Sequence, residues 1–219
     1  MAFATGHSEY VAGGNVDPQY RNPDNAHGPI DGSLVVLGDR GSITLTFDAP
    51  IVDGPGADLA VFEDGFAYGD ADYLELAYVE VSSNGTDFVR FDSASRHAAP
   101  VGAYGTMLAD ELGGLAGKDL GGHGTPFDLA LLANQPAVRA GTVDLGAITH
   151  VRVRDIKGDG ADLDSFGRAI YDPDPVASTA GFDLAGVGVR NQHVAPPLTA
   201  DQSWATAVLA DFLGRPGTG

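Results

Sequence analysis

Short runs of alternating apolar and polar residues, each cut off by Gly, Pro, Asn or Asp, constrain this chain more than any other feature. In Ser42–Phe47, Ile43, Leu45 and Phe47 point one way while Thr44 and Thr46 point the other. That two-residue period is the signature of a half-buried strand. Similar runs occur at Ser33–Leu37, Asp58–Glu63, Leu74–Ser83, Thr86–Phe91, Thr142–Leu145, Ile148–Ile156 and Phe182–Arg190. Asn84-Gly85 between two of them is a strong hairpin signal. Strands joined by turns, with no helical pattern between them, predict an all-β fold: a two-sheet antiparallel β-sandwich, jelly-roll-like. The Gly/Ala-rich Ser93–Gly124 segment reads as a loop with a short turn of helix around Met107–Leu112. After Ala195-Pro196-Pro197, Ser203–Gly214 reads as an amphipathic helix with Trp204, Val208, Leu209 and Phe212 on one face. We therefore expect a sandwich domain over 1–194 and a C-terminal extension over 195–219. The helix either caps the sandwich or docks on another subunit or partner, such as a surface protein.

The strand His150–Ile156 runs into a Gly-Asp loop carrying Asp155, Asp159, Asp162 and Asp164, with Asp172, Asp174 and Asp183 close behind. Carboxylates this dense repel by roughly 1 kcal/mol per close pair even in water. Calcium, which takes about six to eight oxygens from flexible loops, is the expected neutralising ion. The candidate ligands are Asp155, Asp159, Asp162, Asp164, Asp172 and Asp183, with Gly158 and Gly160 folding the chain back. The spacing echoes an EF-hand but lacks its far acidic residue and flanking helices. A solvated acidic loop is the plainer reading. A second, weaker acidic cluster comprises Glu63, Asp64, Asp70, Asp72 and Glu75.

Acidic residues outnumber basic ones 30 to 12, a formal charge of −18. Such a field repels phosphate backbones and anionic membranes, which excludes nucleic-acid partners. No run reaches the length of a membrane span. No signal peptide is read at MAFATGHSEY, although the charge fits work outside a cell or binding of cations. With no cysteine in the chain, thiol catalysis is excluded and a structural metal could take the place of disulfides.

Several blocks then become familiar: Gly41–Phe66 (GSITLTFDAPIVDGPGADLAVFEDGF), Leu74–Phe91, Leu115–Ala130, Thr149–Pro175 and Ala180–Val189. Together they resemble a family of bacterial cell-surface proteins, many with C-terminal sorting signals of the PEP-CTERM type. The likeness covers about Ser33–Val189. The VEVSSNGTDF hairpin is similar to one in galactose-binding-like jelly rolls. This resemblance implies a secreted, surface-displayed β-sandwich. The chain departs from the pattern at Ala185, where a carboxylate is common, and at His123, where an aromatic is common. No sorting tail is read after Gly219.

A ligand-binding role follows more naturally than catalysis. Phe66, Tyr68, Tyr73, Tyr104 and Tyr171 lie in or beside expected loops, where aromatics can stack on sugars; Phe66 and Tyr171 would serve equally as plugs on the core. His27 and His123 lie in Gly-rich loops and could ligate a transition metal or the axial position of a corrinoid or haem. A solvated loop histidine is again the plainer reading. Glu63, Glu75 and Glu80 could supply a glycosidase pair, but no spacing singles one out. The expectation is thus an extracellular, calcium-stabilised, non-catalytic binder of a small molecule or glycan. Uptake of a metallated tetrapyrrole and glycoside hydrolysis stand as alternatives.

Overall fold

The computed structural model describes residues 1–68, 71–120 and 122–193, with Tyr68 described for its backbone only. Its strands, in chain order, begin with β1 (Ala2–Phe3), β2 (Gly6–Val11), β3 (Val35–Val36), β4 (Ser42–Ile51) and β5 (Leu59–Glu63). Next come β6 (Phe66–Tyr68), β7 (Ala71–Tyr73), β8 (Ala77–Ser82), β9 (Val89–Arg90) and β10 (Ala94–Ser95). The series closes with β11 (Leu112–Gly113), β12 (Thr125–Phe127), β13 (Ile148–Asp155) and β14 (Asp183–Val189). One antiparallel sheet runs β1-β14-β5-β12, with β3 also on β14; the other runs β2-β4-β13-β8-β9.

Alternation sets the register. On β13, Val151 and Val153 are fully buried, while Arg152 and Arg154 face outward. The apolar rows of both sheets meet in one core: Leu59, Val61, Val187 and Val189 from the first sheet, Ile43, Leu45, Val79, Val81, Val151 and Val153 from the second. Each such side chain contributes about 1.5–3 kcal/mol on burial. This is the expected two-sheet antiparallel sandwich. On its outer face Glu80 gathers Arg90, Arg152 and Arg154 at 2.9, 3.3 and 3.6 Å.

Two local expectations are corrected. Thr142–Leu145 is a turn, because the amides of Thr142 and Val143 both return to Ala137 O and close the short helix Pro136–Arg139. Val143 alternates not as strand but as a buried plug. The Asn84-Gly85 hairpin exists between β8 and β9, but its loop is longer than a two-residue turn. Asn84 Oδ1 accepts from the amides of Thr86 and Asp87 and takes those residues out of the ladder. The helical turn expected around Met107–Leu112 is a 3-10 turn at Ala109–Glu111. The helix expected over Ser203–Gly214 lies outside the described residues.

Candidate metal centre and ligand shelf

The ends of β5 and β13 and the starts of β8 and β14 lie at the same end of the sandwich, and five acidic side chains meet there. Glu63 closes β5, Glu75 precedes β8, Asp155 closes β13 and Asp183 opens β14. Asp172 joins them by accepting the Leu76 amide at 2.9 Å. Glu63, Glu75, Asp155 and Asp172 are 9% exposed or less. Among the described residues, no Lys or Arg forms an ion pair with any of the five. The two acidic clusters that look separate in the sequence therefore contribute to one place, three of six residues from the first and two of five from the second.

Burial dominates their protonation. It pushes the Glu63 carboxyl up to about 9, with Asp183 and Asp64 adding to the rise and the Gly65 amide opposing it. Burial likewise takes Glu75 up to about 10, aided by the charges of Asp183, Glu63, Asp172 and Asp155. Asp155 and Asp183 each rise to about 7, and Asp172 rises well above the carboxylate range. An oxygen of Asp183 (Oδ1) is buried with no hydrogen-bond partner. Asp155 is better served: its Oδ2 accepts from Arg40 N and its Oδ1 from Phe182 N, each at 2.7 Å. This one carboxylate ties the loop before β4 and the start of β14 to the end of β13. Gly158 is required beside it, since a Cβ there would lie 2.0 Å from Asp172 Oδ1 and the residue sits at φ +77.

The remaining candidate aspartates are placed elsewhere. Asp164 is saturated: the amides of Ser95, Phe166 and Arg168 and the Arg168 guanidinium all donate to it. Burial opposes these donors, yet they win and hold its carboxyl at about 2. Asp159 lies 2.7 Å from the Arg40 guanidinium, and Asp162 lies 3.4 Å from the same group. Arg40 was not singled out from the sequence, and its role follows from its left-handed backbone at φ 59 in the Gly-Asp-Arg-Gly turn. Of the second cluster, Asp64 is exposed and Asp72 half-buried; Asp70 lies outside the described residues. Among the described residues, no three donor atoms of the five carboxylates come within 4.8 Å of one another, whereas those of two other groups do: His7–Asp24–His27 and Asp53–Asp58–Asp128. In the second, Asp58 is fully used by Gly54 N, Leu129 N and Asn191 Nδ2.

Three of the five candidate aromatics converge. Phe66 and Tyr73 are cross-strand partners on the β6–β7 hairpin, their rings stacked at 4.9 Å and 7°. Paired bonds between Asp72 and Met107 dock the hairpin against the next loop. In that loop the turn from Gly102 to Gly105 lifts Tyr104 to 91% exposure. Phe66, Tyr73, Tyr104 and Thr106 line a cavity of about 300 Å³. Tyr73 also donates to Glu75 Oε1 at 3.3 Å, which links this shelf to the carboxylate cluster. Tyr171 is not part of it: half-buried against a separate apolar cluster that includes Leu74, Leu76, Met107 and Ile170, it lines a cleft with Arg96, His97 and Arg168. His123 is exposed on its loop, and His27 faces His7. Tyr68 lies on β6.

No described helix is long and apolar enough to cross a membrane. The chain matches no protein-family model, no curated protein and no solved structure.

Proposed function

We propose that this protein is an extracellular binding protein whose loop end is fastened by calcium and which holds a glycan on the Phe66–Tyr73–Tyr104 shelf without transforming it. The observation that carries the reading is the set of five carboxylates gathered at one end of the sandwich, which form no ion pair with Lys or Arg among the described residues. Hard oxygen donors of this kind select calcium over softer metals. Two or three of them would rotate onto the ion, with backbone carbonyls and water completing the shell. Affinities of extracellular calcium modules fall at about 10⁻⁴–10⁻³ M, which suits the surface location that the family resemblance implies. The shelf supports the second half of the reading, since exposed Phe66 and Tyr104 beside the half-buried Tyr73 and the Thr106 hydroxyl suit the apolar face and hydroxyls of a sugar.

The test is a glycan array followed by calorimetry on any hit, with and without calcium. Tyr104→Ala should weaken a hit by at least about tenfold, equivalent to about 1.4 kcal/mol. The melting temperature should stay unchanged, because the side chain lies outside the core. An array without a signal above background for the calcium-loaded protein would remove the glycan reading.

A further inference from the structure

We infer that His7, Asp24 and His27 form a binding site for a divalent first-row transition ion of the zinc class, separate from the carboxylate cluster. The scaffold brings them together from two elements. Asp24 lies in the first turn of the 3-10 helix Pro23–Ala26 and His27 caps its C-terminal end, and residues three apart on such a helix eclipse one another. His7 comes from β2, where the pairing with β4 slips between His7 and Glu9. A bulge of this kind re-aims the side chain beside it.

The distances suit a shared ion. His7 Nδ1 lies 3.2 Å from His27 Nε2 and 3.7 Å from Asp24 Oδ1. A tetrahedral zinc with bonds of about 2.0–2.1 Å has ligand-to-ligand edges of about 3.3–3.4 Å, so these two edges lie within a few tenths of an ångström of that geometry, and all three donor atoms lie within 4.8 Å of one another. Two imidazoles and one carboxylate are a borderline donor set that selects zinc or copper over calcium. With Asp24 side-chain exposure at 73%, solvent can fill the remaining position.

The helix is held before any ion arrives. Asn22 accepts the Asp24 amide and donates to Asn25, which in turn donates to Leu34 O. Ala26 is fully buried, and Gly186 lets β14 approach it, since a Cβ there would meet Ile30 Cδ1 at 3.0 Å. The same crowding argues for an ion over a flat macrocycle. His27 Nε2 already faces His7, and its Nδ1 lies 3.7 Å from Asp24, so a tetrapyrrole would have to displace one of them.

The experiment uses tag-free protein in excess calcium, so that the carboxylate cluster is filled and its behaviour is scored apart. Zinc is titrated by calorimetry, and cobalt by its visible ligand-field bands. We expect one high-affinity zinc per chain, with zinc displacing cobalt. Loss of outer-shell partners alone costs metal sites about 10–100-fold, so His7→Ala and His27→Ala should each weaken zinc by at least about tenfold. Asp24→Asn, at a mostly exposed residue that cannot threaten the fold, should weaken it measurably as well. Equal zinc affinity in the wild type and in all three variants, or no uptake at all, overturns the site. Displacement of zinc by calcium would overturn it too, because a hard ion does not prefer imidazole.

Discussion

Stripped of calcium, the protein should lose stability steadily as pH rises from about 5 to 9, and calcium should restore more of it at each step upward. The sign follows from the carboxyls of Asp155 and Asp183, raised to about 7, and of Glu63 and Glu75, raised to about 9 and 10. In the unfolded chain these groups ionise near their ordinary values, about 4. Between that pH and each raised value the folded state keeps a proton that the unfolded state has released. Stability therefore falls with rising pH, fully present below about 4 and lost as each folded value is passed. Because these carboxyls raise one another, the cost belongs to the cluster as a whole and grows with each proton lost. An ion that binds only the ionised forms removes this cost and displaces protons as it binds. The measurement is thermal melting from pH 5 to 9 in calcium and in chelator, with proton release followed in two buffers. Superimposed curves in calcium and chelator, with no bound metal on elemental analysis, would end the calcium reading.

Asp155→Ala should be among the most damaging single substitutions at this end of the molecule. It removes the acceptors of Arg40 N and Phe182 N, both bonded at 2.7 Å. A buried amide left without a partner costs about 1–3 kcal/mol; the Phe182 bond is buried and the Arg40 bond only partly so, so the loss should be at least about that of one buried amide. Asp155→Asn keeps one acceptor and should cost less. Chemical denaturation of both variants in chelator near pH 4, where the protonation cost of Asp155 has not yet built up, isolates this term from metal binding. If Asp155→Ala were as stable as the parent there, the carboxylate would not be joining the sheets.

The framework of the sandwich is legible in the sequence where one face is buried. β4, β8, β13 and β14 all carry apolar alternation strong enough to place them within a few residues. The missed strands are those that alternation does not mark. β2 is half-buried or exposed along its whole length, and β12 is an edge strand containing Pro126, which a central strand would not tolerate. The site was half legible. Asp155, Asp172 and Asp183 stood out by density, but density also pointed to Asp164, whose partner Arg168 four residues on neutralises it. The union of Asp183 with Glu63 and Glu75 depends on which strand ends coincide, a property of topology that spacing along the chain does not carry. The convergence of Phe66, Tyr73 and Tyr104 similarly depends on Asp72 and Met107 clasping two loops.

Tyr73 belongs to two neighbourhoods, its ring stacked on Phe66 and its hydroxyl on Glu75. Linkage between such neighbours is reciprocal by thermodynamic necessity. Whatever factor a cation gathered by Glu75 adds to the grip of the shelf, a sugar seated on Tyr73 must return to the cation. On the proposed reading, affinity for the sugar and affinity for the cation would then rise and fall together by one factor.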